Sequence, residues 1–174
     1  MSKRAFTDAP TRTFTTRFAG RISLSALVVG AVSLAGWQVR AEPNRVTFPE
    51  LDQLVHYTTV KRGNVTEHIM TTREAVEAVK SGRSIPHGTH FVLVDHRDGN
   101  LYRYFVMQKG DAFGADYDDR RRTGDWQFQW FWPDKTINTS ENTNRCQSCH
   151  RSQQSSEYLY TGNRIPRFNG TPIE

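Results

Sequence analysis

The chain has 174 residues, with 23 Lys/Arg against 18 Asp/Glu and a sequence pI near 9.5. The excess is confined to one end: residues 1–41 carry six Lys/Arg and one Asp, whereas residues 42–174 carry seventeen of each sign. The neutral body shows no basic stripe interleaved with aromatics, so the high pI is no argument for nucleic-acid binding.

The N-terminus reads as a targeting segment. Lys3, Arg4, Arg12, Arg17 and Arg21 form a basic region, and an apolar stretch of sixteen residues runs from Ile22 to Trp37. Val39 and Ala41 supply small residues ahead of a cleavage point before Glu42. The stretch is short for a spanning helix, so a cleaved signal is expected, with an uncleaved membrane anchor as the alternative. Either form places the remaining domain, residues 42–174, outside the cytoplasm, and a periplasmic location is expected.

Within that domain the elements follow in order. Phe48-Pro49-Glu50-Leu51 opens a short helix. Val55 to Val60 and Val65 to Met70 are rich in β-branched residues and flank Gly63-Asn64, which predicts a pair of strands. Thr71 with Glu74 forms a capping box, Ala75, Val76, Ala78 and Val79 give an apolar face, and Gly82 closes the helix. Phe91 to Asp95 and Leu101 to Gln108 are strands joined through Asp98-Gly99, a hairpin signal. Asp116, Asp118 and Asp119 precede Arg120-Arg121-Arg122, a solvated loop with local charge compensation. Trp126 to Trp132 is an aromatic strand ended by Pro133. Asn138 to Asn144 is a polar loop, and Tyr158-Leu159-Tyr160 is a last strand or part of a helix. Most periodic segments alternate with period two, which argues against a small all-helical fold. The expected class is α+β and β-rich, an antiparallel sheet packed against a C-terminal cofactor-binding helix.

The chemistry is concentrated in Cys146-Gln147-Ser148-Cys149-His150, which holds both cysteines. C-x-x-C-H is the attachment site of c-type haem: two thiols add across the vinyl groups and the adjacent imidazole ligates the iron. One helical turn puts both sulfurs on one edge of the macrocycle. A thioredoxin-like motif would need a βαβ context that is missing here, and a structural zinc site would need a fourth ligand. A simple disulfide stays open. Covalent haem c, one per chain, is the expected cofactor, with Cys146, Cys149 and His150 binding it and His150 the metal ligand.

With the haem motif near the C-terminus, the strand Asp125-Trp126-Gln127-Phe128-Gln129-Trp130-Phe131 before it, Ile85-Pro86-His87-Gly88-Thr89 leading into a strand, and Thr66-Glu67-His68-Ile69, the chain resembles cytochrome P-460 and the related cytochrome c′-beta proteins over about residues 45–168. The resemblance implies a β-rich homodimer with a five-coordinate haem c and an open distal side. Some members oxidise hydroxylamine and carry a lysine bonded to the haem ring. Others lack the bond and bind nitric oxide under an apolar cap. The cross-linking lysine of the first group falls at Leu93 here, and the nearest lysines, Lys80 and Lys109, lie on other elements. Glu141, nine residues before His150, falls near the distal carboxylate of some hydroxylamine-oxidising members. Its alternative is a solvated loop glutamate.

The sixth iron position decides among functions. Met70, Met107, His56, His68, His87, His90 and His96 are the side chains that could fill it in an electron carrier. Alternation puts Met107 on the face of Arg103 and Phe105, opposite Tyr102, Tyr104 and Val106. Phe91, Phe105, Trp126, Phe128 and Trp130 can wall an apolar pocket, and Arg103 with His90 would form a peroxidase-like pair. The leading expectation is an exported monohaem cytochrome that binds a small ligand such as nitric oxide with redox cycling of the iron, served by a redox partner protein. Oxidation of hydroxylamine or a related nitrogen compound is the first alternative, and six-coordinate electron transfer the second.

Overall fold

A computed structural model describes residues 44–174, so the expected signal or anchor segment lies outside the described residues. The fold is built on a five-stranded antiparallel sheet in sequence order: β1 (Val55–Arg62), β2 (Val65–Thr71), β3 (His90–Arg97), β4 (Asn100–Lys109) and β5 (Trp126–Phe131). Helix α1 (Arg73–Lys80) joins β2 to β3, and helix α2 (Asn144–His150) follows β5. The expected α+β, β-rich architecture is therefore present. Gly63, and Asp98 with Gly99, take positive φ in the two tight hairpins, the twist that matches right-handed strands.

Local differences have physical reasons. The N-cap of α1 is Thr72, whose side chain accepts from the Ala75 N–H. Thr71 ends β2 instead, and its hydroxyl donates to the His90 carbonyl. The helix expected from Phe48 is a 3-10 turn over Leu51–Gln53. Strand β5 stops at Phe131, one residue before the expected end. Tyr158–Tyr160 is neither strand nor helix. Glu157 and Tyr158 take φ of 51° and 65°, and the chain turns back sharply after the 3-10 stretch Arg151–Ser156.

The sheet is covered on both faces. One apolar cluster unites Tyr57, Ile69, Phe91, Met107, Trp126 and Phe128 with α1 and with Leu159, Ile165 and Phe168 of the C-terminal tail. On the opposite face Val92, Tyr104, Val106 and Phe131 pack beneath Val46, with Phe48 and Leu51 alongside. All six residues of β5 are buried for this reason, including its two glutamines. Gln127 and Gln129 accept from the Arg45 backbone N–H and the Asn44 amide at 2.7 Å, so the irregular segment that begins at Asn44 is tied down by groups that would otherwise be costly to bury.

Three histidines line up on that second face, His68 lying 4.7 Å from His56 and 5.2 Å from His96, centroid to centroid. Burial, and after it the neighbouring imidazoles, holds His68 below the ordinary histidine range; burial does the same to His90. The unfolded chain therefore binds protons near about pH 6.5 that the folded chain refuses. Stability is expected to be full above that pH and to fall as acid is added. Urea midpoints between pH 7.5 and 5.5 should decline less steeply in His68→Gln, and identical slopes would exclude His68 as a source.

Candidate functional site

The first face of the sheet and the C-terminal segments enclose a cavity of about 440 Å³. Its volume lies in the range of sites that take small molecules and cofactors. Five strands contribute aromatic or aliphatic wall: Tyr57 and Val60 from β1, Ile69 from β2, Phe91 and Leu93 from β3, Phe105 and Met107 from β4, Phe128 and Trp130 from β5. The antiparallel register sets these on one face, since Leu93 pairs with Phe105, Phe91 with Met107, and Met107 with Phe128.

Helix α2 closes the other side. Cys146, Cys149 and His150 all line the cavity, and both thiols are free. The i, i+3 spacing carries the two sulfurs to one helix face, while Ser148 looks into a separate groove lined by Arg120, Arg121 and Arg151. Two contacts seat the helix against β5. The Trp130 indole N–H donates to Cys146 Sγ at 3.1 Å, and the His150 ring stacks at a tilt 4.8 Å from Phe128. Burial pushes the Cys146 thiol up, which keeps it protonated, a well-packed thiol beside an indole.

His150 is fixed from behind. Its Nδ1 lies 2.6 Å from the Tyr158 carbonyl, so Nδ1 carries the proton and Nε2 keeps its lone pair. Burial also lowers the proton affinity of the imidazole, holding it neutral. The carbonyl is aimed by the reversed turn at Glu157–Tyr158. Glu157 anchors that turn by accepting from the Ile85 N–H at 3.0 Å and from Lys109 Nζ at 2.7 Å. The Tyr158 ring lies over Gly124, where a Cβ would come within 2.9 Å of it. Gly124 takes φ of +56°, so both space and backbone call for glycine there.

One corner of the cavity is polar. Arg62 donates to Glu67 at 2.6 Å, and both line the cavity. Burial pushes the Glu67 carboxyl above its usual range, opposed by Arg62. Arg103 donates through Nε to Asp95 at 3.1 Å and through Nη1 to Glu141 at 3.3 Å.

The candidate residues of the sequence divide as follows. The motif residues, Phe91, Phe105, Phe128 and Trp130, come together on the cavity, and Met107 lies there too. Trp126 belongs to the same core without reaching the cavity. Glu141 stands behind Arg103 and does not itself form the wall. His90 lies 3.2 Å from the Thr47 hydroxyl on the far face, so it makes no pair with Arg103. The other histidines of the domain are outside the cavity, and so is Met70, which packs on the second face. No lysine lines it among the described residues: Leu93 occupies the wall, and Lys109 is held by Glu157 and the Ile85 carbonyl.

Sequence reasoning missed the contribution of β1 and of the tail. A bulge between His56 and Thr58 turns Tyr57 inward, where its hydroxyl meets that of Thr161 at 2.6 Å. Burial pushes the Tyr57 phenol up, so it stays protonated throughout the neutral range. Alternation along β2 would have found Glu67 and Ile69, but the bulge hides the phase of β1.

The arrangement delivers two thiols and one oriented imidazole from a single helical turn to an apolar cavity with one charged corner. A family model described as Cytochrome P460 matches residues 50–161, well over half of the chain. A search among curated proteins gives no match.

Proposed function

The chain belongs to the cytochrome P460 family, and from that premise we propose that it is an exported monohaem c-type cytochrome whose cavity binds a small ligand such as nitric oxide. The family implies a haem cofactor. The residues present fit one: the cavity has an apolar wall, two free thiols at helical i, i+3 spacing, and an imidazole with only Nε2 left to ligate. Cys146 and Cys149 would hold the haem covalently and His150 would ligate its iron. When bound, the haem supplies a metal coordination position and a one-electron redox couple.

The protein's own part is orientation and exclusion. The Tyr158 carbonyl fixes the His150 tautomer and raises the basicity of Nε2. Phe91, Leu93, Phe105 and Phe128 keep water from the apolar wall. The observation that carries the open-site reading is the histidine census: of six in the chain, only His150 reaches the cavity. A redox partner protein would recycle the iron, and a periplasmic location follows from the N-terminal charge and apolar pattern. A homodimer, and an N-terminal membrane anchor if the segment is not cleaved, complete the proposal.

Two other readings each have one observation behind them. Met107 lines the cavity and is the one thioether there among the described residues, so it is the side chain that an electron carrier would use as sixth ligand. Glu141 reaches the cavity wall through Arg103, which gives oxidation of hydroxylamine or a related nitrogen compound a carboxylate to accept a proton. Optical spectra of the ferrous protein, with and without nitric oxide, decide between ligand binding and electron transfer. A high-spin spectrum that shifts with the gas, unchanged in Met107→Leu, is expected. A low-spin spectrum indifferent to the gas, converted to high-spin by Met107→Leu, establishes the electron carrier. Hydroxylamine turnover that collapses in Glu141→Gln would establish the enzyme.

A further inference from the structure

Arg103 is held more tightly than pairing alone requires. It projects from β4 opposite Asp95 of β3. Asp95 is 1% exposed and takes the Arg103 Nε at 3.1 Å. Glu141 takes Nη1 at 3.3 Å. The guanidinium carbon lies 4.2 Å from the Trp130 ring centroid, 4.5 Å from Phe105 and 5.0 Å from Tyr102. Two carboxylates and three rings thus fix a planar fork before any ligand arrives.

This fork has one arm left. Nη2 has no acceptor among the described residues, while the side chain lines the cavity. Of the other two cations that line the cavity, Arg62 donates to Glu67 at 2.6 Å, and Arg145 is an exposed residue of α2. The positive charge of Arg103 is already matched by Asp95 and Glu141, so what remains is a directed N–H rather than a net field. We propose that Arg103 sets the ligand preference of the cavity, its Nη2 donating to the outer atom of a small bound ligand and favouring ligands whose outer atom is a strong hydrogen-bond acceptor. The inference rests on the open-site reading above. Asp95 is then a positioning residue, acting through Arg103.

Carbon monoxide on the ferrous holoprotein is the probe, read by the C–O stretching frequency. A donor at the ligand oxygen draws electron density outward and lowers that frequency. Arg103→Leu is expected to raise it, and Arg103→Lys, which keeps a cation for Asp95 but has no Nη2, to raise it as well. Glu141→Gln is expected to lower it, because Arg103 loses one of its two counter-charges. The nitric oxide dissociation rate should increase on the order of tenfold in Arg103→Leu, the loss of one charged hydrogen bond. Equal frequencies in the wild type and in both Arg103 variants would overturn the inference and leave the open-site reading standing. A wild type that takes up no carbon monoxide would overturn both. If Arg103→Leu does not fold, the Lys and Gln variants still give opposite shifts under the proposal and none under a purely structural role.

Discussion

His150→Ala is expected to keep its haem and lose its ligand. The two thiols lie on α2 independently of the imidazole, so covalent attachment should survive in the variant. The deleted ring leaves a space between Phe128 and Tyr160, whose centroids lie 4.8 Å and 5.1 Å from that of His150. The Tyr158 carbonyl, which held Nδ1 at 2.6 Å, remains to receive a donor. Free imidazole should therefore bind there and restore the wild-type ferrous spectrum, whereas imidazole added to the wild type should not reproduce that change. Without imidazole the variant should lose the spectrum of a nitrogen-ligated iron entirely. A variant with an unaltered ferrous spectrum would remove His150 as the ligand.

Asp95→Ala is expected to cost about 3–5 kcal/mol, the range found when one partner of a buried ion pair is removed. The Asp95 side chain is 2% exposed and that of Arg103 13%, so solvent replaces little of what is lost. Oδ2 accepts from Arg103 at 3.1 Å and from Arg97 at 3.5 Å. Without it Arg103 keeps only Glu141, on a loop, and its stack on Trp130 and Phe105. The loss is large against the roughly 5–15 kcal/mol that stabilises a typical domain. Urea unfolding at matched haem content measures it. A cost no greater than that of deleting one partner of the exposed Lys61–Glu174 pair would show that the cluster is solvated or compensated.

The sequence made the sheet legible because its strands alternate and its hairpins carry turn residues. All five strands fall within two residues of where β-branched and aromatic runs and the Gly63-Asn64 and Asp98-Gly99 signals put them. Strand β4, for example, starts one residue before its expected edge and ends one after it. Alternation also placed Arg103, Phe105 and Met107 on one face, and that face is the cavity wall. The cap slipped by one because Thr71, and not Thr72, has a glutamate three positions on, the spacing of a capping box. Only strand pairing decides which hydroxyl is free to cap, and Thr71 is consumed by β3.

What stayed hidden depends on partners distant in sequence. The reversed turn at Glu157–Tyr158 has no glycine to announce it. It is held by Ile85 and Lys109, 72 and 48 positions away. The same is true of Glu141, whose place at the site is set by Arg103, 38 positions earlier. Its local sequence reads only as a polar loop. His90 illustrates the opposite hazard: neighbouring strands made a pairing with Arg103 conceivable, but a period of two sends the two side chains to opposite faces.

The central claim is that Cys146 and Cys149 carry the haem as covalent bonds at the cavity edge. The intact mass of the protein, measured after denaturation and extraction with acidified acetone, tests it most directly. The account predicts one species heavier than the polypeptide by a single haem, reduced to the bare polypeptide mass when both cysteines are replaced by alanine. A wild-type chain at the bare polypeptide mass, with its colour in the acetone, would contradict it.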